Sequence, residues 1–169
     1  MRSVLLIGPM GAGKSTVAKK LEEHGYQRYA MAAPIREIVQ VAFPWVVGKA
    51  EQRAYMQRAG AFLREFQPNP ILVHAGRALE EAPVVIEDGR TLEEAAWAHE
   101  NGMLVVALDA PLEVRMQRLL ARDGALPALR TLTDETEQDF LQVQALRFDT
   151  SETSSEEIAD EVLWKAGQA

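Results

Sequence analysis

Apolar residues are grouped along this chain in short segments with little alternation. The segments 3–7, 84–86 and 104–108 are nearly continuous apolar runs, which predicts strands buried on both faces of a sheet. Two shorter segments, 27–30 and 147–149, predict further strands. Five strands are therefore expected.

Amphipathic stretches with a helical period lie between these strands. Several are followed by a glycine or proline, as at Gly25, Pro44 and Gly102, where a helix is expected to end. The predicted helices span residues 14–24, 34–43, 49–66, 71–81, 92–101, 112–122, 135–146 and 155–165. Strands that alternate with helices predict an α/β fold, with a five-stranded parallel sheet covered by helices on both faces. The 169 residues fit a single domain, 1–169.

The first predicted strand is followed by the sequence G-P-M-G-A-G-K-S, residues 8–15. It matches the phosphate-binding loop pattern G-x-x-x-x-G-K-[ST] at every fixed position. A chance glycine-rich turn is the alternative interpretation, and the strand before the loop and the helix after it argue against that alternative. The motif therefore predicts a nucleotide site.

The residue types of this loop suit a polyphosphate. Gly8 and Gly13 let the backbone curve closely around the anion, so that N–H groups and the helix N-terminus face it. Lys14 would reach the β- and γ-phosphates, and the Ser15 hydroxyl would bind Mg²⁺. ATP and Mg²⁺ are therefore the predicted cofactors. The predicted nucleotide contacts here are Gly8, Met10, Gly11, Ala12, Gly13, Lys14, Ser15 and Thr16.

The composition limits the chemistry that the chain can perform. There is no cysteine, so disulfides, zinc–thiolate sites and a thiol nucleophile are excluded. The formal net charge of -7 argues against nonspecific nucleic-acid binding. No apolar run approaches the length of a membrane span, and the chain enters its first strand without a signal peptide. A cytoplasmic protein is expected.

Beyond the phosphate loop, further stretches are similar to those of a known family. They are A-A-P-I-R-E at 32–37, R-A-Y-M-Q-R-A-G at 53–60 with Arg64, V-V-I-E-D-G-R at 84–90, and E-E-A at 93–95. They resemble the A-D-P-[IL]-K-E, R-x-x-x-Q-x-x-G-x-x-x-R and strand-D-x-R…N-E-A segments of phage-type deoxynucleoside monophosphate kinases and their bacterial relatives. Dephospho-coenzyme A kinase is the next most similar family.

The order of the elements supports this resemblance to the nucleoside monophosphate kinase group. Three helices are predicted between the second and third strands, and an arginine-rich segment follows the fourth. Ala33, Arg36 and Gly89 stand where the family has aspartate, lysine and a branched residue. The resemblance implies a P-loop NTPase fold of the adenylate kinase type, with an acceptor-binding helical segment at about 32–82 and a lid at about 115–134.

The resemblance also implies which cations hold the acceptor phosphate. Arg36, Arg64 and Arg90 are expected to bind it, because arginine can grip such a group bidentately. A solvated surface arginine is the alternative for each of them. Arg90 has the better case, because it directly follows a buried strand, at the crevice where α/β folds bind ligands.

Arg115, Arg118 and Arg122 have the spacing of one helix face and lead into the irregular segment 123–132. By resemblance, Arg118 and Arg122 are expected to be lid arginines that act on ATP, and Arg115 less so. Such a lid excludes water, so that the phosphoryl group reaches the acceptor. The alternative is a solvated helix face that pairs with acidic neighbours.

The D-T-S stretch at 149–151 resembles a segment that borders the adenine in related kinases, so the backbone of Thr150 is expected to contact the base. A helix capped by Ser155 explains the following S-x-E-E residues equally well. The pair at 133–134 is interpreted as another helix cap.

Two strand ends supply candidate carboxylates. Asp88 is expected to orient Mg²⁺, to contact the acceptor, or to accept a proton from an attacking hydroxyl. Glu87 would point to the other face of the sheet, because adjacent strand residues alternate. A strand-end turn is the alternative for both. Asp109 is a second candidate, although a cap for the helix near Pro111 is the favoured interpretation.

Taken together, the sequence predicts an ATP- and Mg²⁺-dependent kinase of a small-molecule phosphate acceptor, with a nucleoside or deoxynucleoside monophosphate favoured. Its expected catalytic residues are Lys14, Asp88, Arg90, Arg118 and Arg122, and Ser15 and Asp88 would hold the metal. The alternatives are a dephospho-coenzyme A kinase, a kinase of another small hydroxyl compound or of a modified base in DNA, and a non-catalytic regulatory module. No membrane partner is expected, nucleic acid is disfavoured, and monomer and homodimer stay open.

Overall fold

The computed structural model describes residues 1–66, 70–80, 82–124, 126 and 139–168. The side chain of Arg64 and residues 127–138, which include the predicted cap at 133–134 and most of the predicted lid, lie outside the described part. The chain forms two compact units, one made of Met1–Arg28 and Ala82–Ala169 and the other of Tyr29–Glu81.

The first unit contains the sheet and the helices that cover it. Its elements are β1 (Val4–Ile7), α1 (Lys14–Glu23), β3 (Val84–Gly89), α5 (Leu92–Glu100), β4 (Leu104–Asp109), α6 (Leu112–Asp123), a short 3-10 helix (Asp139–Gln142), β5 (Leu146–Asp149) and α7 (Ser155–Ala166). Strand β2 (Gln27–Tyr29) spans the boundary between the units. The strand order is β2-β3-β1-β4-β5, and the predicted five-stranded parallel sheet is confirmed.

The register of the sheet brings the ends of the strands together. Ile7 lies opposite Gly89 of β3 on one side and Ala107 of β4 on the other, and Asp109 lies opposite Asp149. Because all of these pairs are parallel, the loops that leave β1, β3, β4 and β5 start from the same edge. This is the edge where α/β proteins bind ligands.

The core lies where the central strands meet the helices. All four residues of β1 are fully buried, as are Val17 and Leu21 of α1 and Ile158 of α7. Val4 and Leu6 of β1 belong to one apolar cluster with Val17, Leu21 and Ile158, in which α1 and α7 cover the sheet. The uninterrupted apolar runs of the sequence therefore correspond to strands without a solvated face.

The second unit is helical and has its own small core. It contains α2 (Ala33–Ala42), α3 (Lys49–Phe66) and α4 (Pro70–Ala78). Ile35 and Val39 of α2 are buried, and the ring of Phe43 lies 4.8 Å from that of Tyr55 on α3. The Tyr29 hydroxyl and Nδ1 of His74, both in this unit, are hydrogen-bonded at 2.5 Å.

Three sequence predictions were wrong in detail. Residues 139–142 form a 3-10 helix, and Leu146 begins β5 instead of ending a helix. Ser154, not Ser155, caps α7, in a capping box with Glu157. Asp109 does not cap α6: its Oδ1 accepts the N–H of the next residue, Ala110, at 2.8 Å, and no side chain caps that helix.

Strand β3 is three residues longer than predicted, so Glu87 and Asp88 lie within it.

Within the described ranges, no helix combines the length and the apolar character that crossing a membrane requires.

Candidate active site

The phosphate loop leaves β1 in a conformation that glycine makes available. Gly8, Gly11 and Gly13 have φ values of 149°, 84° and 88°. A Cβ on Gly8 would lie 2.0 Å from the Leu108 carbonyl oxygen, so any side chain there would collide with the neighbouring strand. The predicted strand–loop–helix context of the motif is confirmed.

The loop offers donors for an anion. Among the described residues, the backbone N–H groups of Gly11, Gly13 and Ser15 donate no hydrogen bond. They lie at the start of α1, where the helix dipole also favours negative charge. Free donors at a helix N-terminus, together with the Lys14 ammonium, fit a polyphosphate such as that of ATP.

Lys14 is held at the loop that precedes it. Its Nζ donates to the carbonyl oxygens of Gly8 at 2.5 Å and Pro9 at 2.9 Å, and the residue is half-buried. The ammonium therefore already lies within the loop, where a polyphosphate would compete for it.

Few protein ligands are present for a metal. Ser15, whose hydroxyl was predicted to bind Mg²⁺, is exposed at the start of α1. In the part of the chain that the structure describes, no three histidine or acidic side chains form a group able to hold an ion. This donor set fits Mg²⁺, which is commonly bound by one or two side chains with phosphate oxygens and waters.

Arg118 of α6 lies beside the phosphate loop and is bound to Thr150. Its Nη1 and Nη2 donate to Oγ1 and to the carbonyl oxygen of Thr150 at 2.7 and 2.8 Å. Nη1 also lies 3.4 Å from the carbonyl oxygen of Gly11. The structure thus brings together two of the predicted nucleotide-binding residues.

Arg115, the least favoured of the three helix arginines in the sequence, contacts the loop as well. Its Nε donates to the Ala110 carbonyl oxygen at 3.1 Å, and its Nη1 lies 3.4 Å from that of Met10. A Cβ on Gly11 would come within 3.0 Å of Arg115, so the helix and loop are in close contact. The i, i+3 spacing of Arg115 and Arg118 was the available signal.

The end of β3 is held by Glu94, which the sequence analysis quoted in the E-E-A stretch at 93–95 without giving it a role. The half-buried carboxylate of Glu94 accepts the N–H groups of Arg90 at 2.6 Å and Thr91 at 2.9 Å, and the Thr91 hydroxyl accepts that of Glu94 in return. This is a capping box, readable as T-x-x-E at 91–94. Burial raises the pKa of Glu94 despite these hydrogen bonds, and the Asp88 carboxylate raises it further.

Asp88 and Arg90 are both half-buried, and Arg90 leaves β3 next to the point where Gly8 leaves β1. Glu87 instead forms an ion pair with Arg28 of the neighbouring strand at 2.6 Å, and its other carboxylate oxygen is buried without a hydrogen-bond partner among the described residues. Asp88 therefore remains the favoured carboxylate of the two.

Two other predicted arginines are exposed. Arg122 pairs with the adjacent Asp123 at 2.6 Å, which raises the pKa of the guanidinium. Arg36 lies in the second unit near the start of α2 and makes no ion pair with a described residue.

Comparisons with known proteins show which family this chain belongs to and which kinases it is similar to. The family model AAA_18, described as AAA domain, matches residues 4–140. A shikimate kinase of Pseudomonas fluorescens (strain Pf0-1) is 29% identical over 151 residues, which cover 85% of this chain and 79% of the relative. A dephospho-CoA kinase of Deinococcus radiodurans is 30% identical over 148 residues, which cover 73% and 70%.

Solved structures support the fold. The shikimate kinase from Acinetobacter baumannii in complex with shikimate superposes with a TM-score of 0.62 at 21% identity, covering 98% of this chain and 92% of that one. These proteins are P-loop kinases but not deoxynucleoside monophosphate kinases, so only the coarser part of the predicted resemblance is confirmed. The chain is a P-loop kinase and belongs to the AAA_18 family of AAA domains.

Proposed function

We propose that this kinase transfers the γ-phosphoryl group of ATP, with Mg²⁺, to a hydroxyl group of a small anionic compound. The observation that carries the proposal is the register of β1 and β3. Because Ile7 lies opposite Gly89, the phosphate loop and Arg90 leave the sheet side by side, with Asp88 just before them. A nucleotide on the loop and an acceptor near Asp88 would then be neighbours.

The similar proteins support a hydroxyl acceptor. Shikimate and dephospho-coenzyme A, the compounds in the names of the relatives, both carry hydroxyl groups and an acidic group. A hydroxyl nucleophile is helped by a carboxylate that accepts its proton, a role suited to Asp88, and a cation such as Arg90 suits the acidic group.

The other residues would act on the donor. The loop N–H groups and Lys14 would stabilise negative charge on the transferred phosphoryl group, and Ser15 would contribute a ligand to Mg²⁺, with Asp88 a second candidate ligand. Bound Mg²⁺ would neutralise phosphate charge and orient the γ-phosphate. Arg118 and Thr150 would lie on the nucleotide side, and Arg122 would remain the candidate for a lid arginine.

A nucleoside monophosphate is the second candidate acceptor. It is favoured by the exposed guanidinium of Arg36, which makes no ion pair with a described residue and is therefore available to a phosphate. Arg64 would add a second cation from the same unit.

An acceptor screen tests the proposal. ADP release from Mg²⁺-ATP would be followed with shikimate, dephospho-coenzyme A, other hydroxy acids and sugar acids, and all ribo- and deoxynucleoside monophosphates. We expect turnover with one class of hydroxyl-bearing anion, and its loss in Asp88→Asn. Turnover with monophosphates alone would replace the proposal by the second candidate. ATP binding without acceptor-dependent turnover would instead support a regulatory module.

A further inference from the structure

The hydroxyl of Thr150 lies at a meeting point of four segments. Thr150 directly follows β5, and its Oγ1 lies 3.2 Å from the Ala12 carbonyl oxygen and 3.1 Å from that of Asp109. One hydroxyl proton serves these two acceptors, while the oxygen accepts from Nη1 of Arg118 at 2.7 Å. The Thr150 N–H also donates to Asp109, at 2.8 Å. The phosphate loop, the ends of β4 and β5, and α6 are thereby joined.

Thr150 and Arg118 also lie near the last glycine of the loop. From the position that a Cβ on Gly13 would take, Oγ1 of Thr150 is 3.7 Å away and Nη1 of Arg118 is 3.8 Å away. Gly13 has a left-handed conformation and directly precedes Lys14. The two side chains therefore support the loop where it turns into α1.

This arrangement leaves Arg118 with a different task from that of a lid arginine. Within the described part of the chain, its side-chain hydrogen bonds all go to Thr150 and to the loop carbonyl of Gly11. Charged hydrogen bonds of this kind are directional and hold the geometry of both partners. Since anion binding needs the loop N–H groups to point at one place, loss of this support would loosen the site for the polyphosphate.

We propose that Thr150 and Arg118 are positioning residues, which hold the phosphate loop in its anion-binding shape before ATP arrives. They act on ATP affinity through the loop and not by contact with the reacting atoms. The proposal rests on the assignment of the loop as the ATP site and is independent of the acceptor.

Thr150→Val tests the hydroxyl, because valine keeps the shape of threonine and removes only the hydrogen bonds that the Thr150 hydroxyl makes. The affinity of the full-length protein for Mg²⁺-ATP would be measured by calorimetry without any acceptor. We expect the Kd to rise about tenfold, which corresponds to about 1.4 kcal/mol. Thr150→Ser, which keeps the hydroxyl, should recover most of the affinity. If Thr150→Val does not fold, Thr150→Ala gives the same comparison.

Thr153→Val is the matched control. Thr153 lies in the same loop, and its hydroxyl makes no hydrogen bond within the described part of the chain. The Kd of the Thr153→Val protein for Mg²⁺-ATP should stay at the wild-type value. A wild-type Kd in Thr150→Val, or an equal loss in Thr150→Ser, would overturn the role of the hydroxyl.

Arg118→Ala, alone and combined with Thr150→Val, tests whether the arginine acts through Thr150. If it does, Arg118→Ala weakens ATP binding less in the Thr150→Val protein than in the wild type. If the fold-change in Kd of the double variant is simply the product of those of the two single variants, Arg118 acts on ATP by another route. That result would overturn its part of the proposal. Because only ATP binding is measured, a failed acceptor screen leaves the result interpretable. A wild-type Kd for ATP in Lys14→Ala would instead count against the loop as the ATP site.

Discussion

At the scale of single residues, Lys14 is the position that we expect to tolerate substitution least. Its ammonium is held by two loop carbonyls, so no new segment has to be ordered before it can bind a phosphate. An ammonium can stabilise the transferred group as a point charge, a task that a neutral side chain cannot perform.

Lys14→Ala should therefore reduce kcat by roughly 10³-fold or more, by analogy with the loss of other charge-stabilising groups. Lys14 is half-buried and lies outside the apolar cluster, so the melting temperature should stay close to that of the wild type. Steady-state kinetics and thermal unfolding check both statements. Near-normal turnover would contradict the role of the phosphate loop.

The negative charge of Glu94 is expected to lower the stability of the folded protein. Burial is the main cause of its raised pKa, so the folded protein binds the Glu94 proton more tightly than the unfolded chain does. Stability contributed by this group is therefore present below the unfolded pKa and declines as the pH rises toward the raised, folded pKa. Above both values the full cost of the buried carboxylate remains.

Glu94→Gln should show this directly. Glutamine can keep both hydrogen bonds of the capping box without a charge. We expect the variant to be more stable than the wild type at pH 7. The difference should shrink as the pH falls through the raised, folded pKa toward about 4.5, the ordinary value for glutamate. Urea unfolding across this pH range measures it. A difference independent of pH would show that the carboxylate is not penalised by burial.

At the scale of elements, the site depends on how strands pass into loops and helices. The β1–loop–α1 element works because Gly8 passes next to β4 with no side chain. The β3–α5 connection is fixed by the Thr91–Glu94 capping box, and the β5–α7 connection by Thr150 and by Ser154 with Glu157.

Gly8→Ala tests the first of these elements. A methyl group 2.0 Å from the Leu108 carbonyl oxygen cannot be accommodated without moving β1 from β4. We expect a loss of about 4 kcal/mol or more in the free energy of unfolding, the range of exceptional single substitutions.

Gly25→Ala is the control for Gly8→Ala. Gly25 also has a positive φ, 92°, but no atom of another described residue lies within 4 Å of a Cβ placed there. It should cost only the backbone strain of about 1–2 kcal/mol. Equal losses in the two variants would show that contact with β4 is unimportant.

At the scale of the whole molecule, the described core depends on α7 closing over the sheet beside α1. Ile158 is fully buried in the cluster that contains Val17 and Leu21. We expect Ile158→Ala to reduce the free energy of unfolding by about 2–5 kcal/mol. Trp164→Ala on the same helix, where the ring is 59% exposed, should cost about 1 kcal/mol or less. Chemical denaturation compares the two, and similar losses would contradict this account of the core.

The elements show where sequence reasoning succeeded. Helix α3 was predicted with the bounds that the structure has, and the five strands alternate with helices as the α/β prediction required. The sequence prediction ended β3 too early because Glu87 and Asp88 are polar. In the structure the strand continues to Gly89, which pairs with Ile7. The prediction of a helix over 135–146 was wrong for the described residues of that range. Leu146 pairs with Val106 of β4, and the Arg147 side chain donates to the carbonyls of Phe140, Leu141 and Val143.

The class of the fold and the phosphate-loop motif could be predicted from the sequence alone, because hydrophobic periodicity and the loop motif are local properties of neighbouring residues. The contacts of Arg118 with Thr150 and of Arg115 with the loop are known only from the tertiary structure. These contacts depend on strand register and helix packing, which join residues as many as 105 positions apart, as between Met10 and Arg115. No local pattern in the sequence records which partner such a side chain will meet.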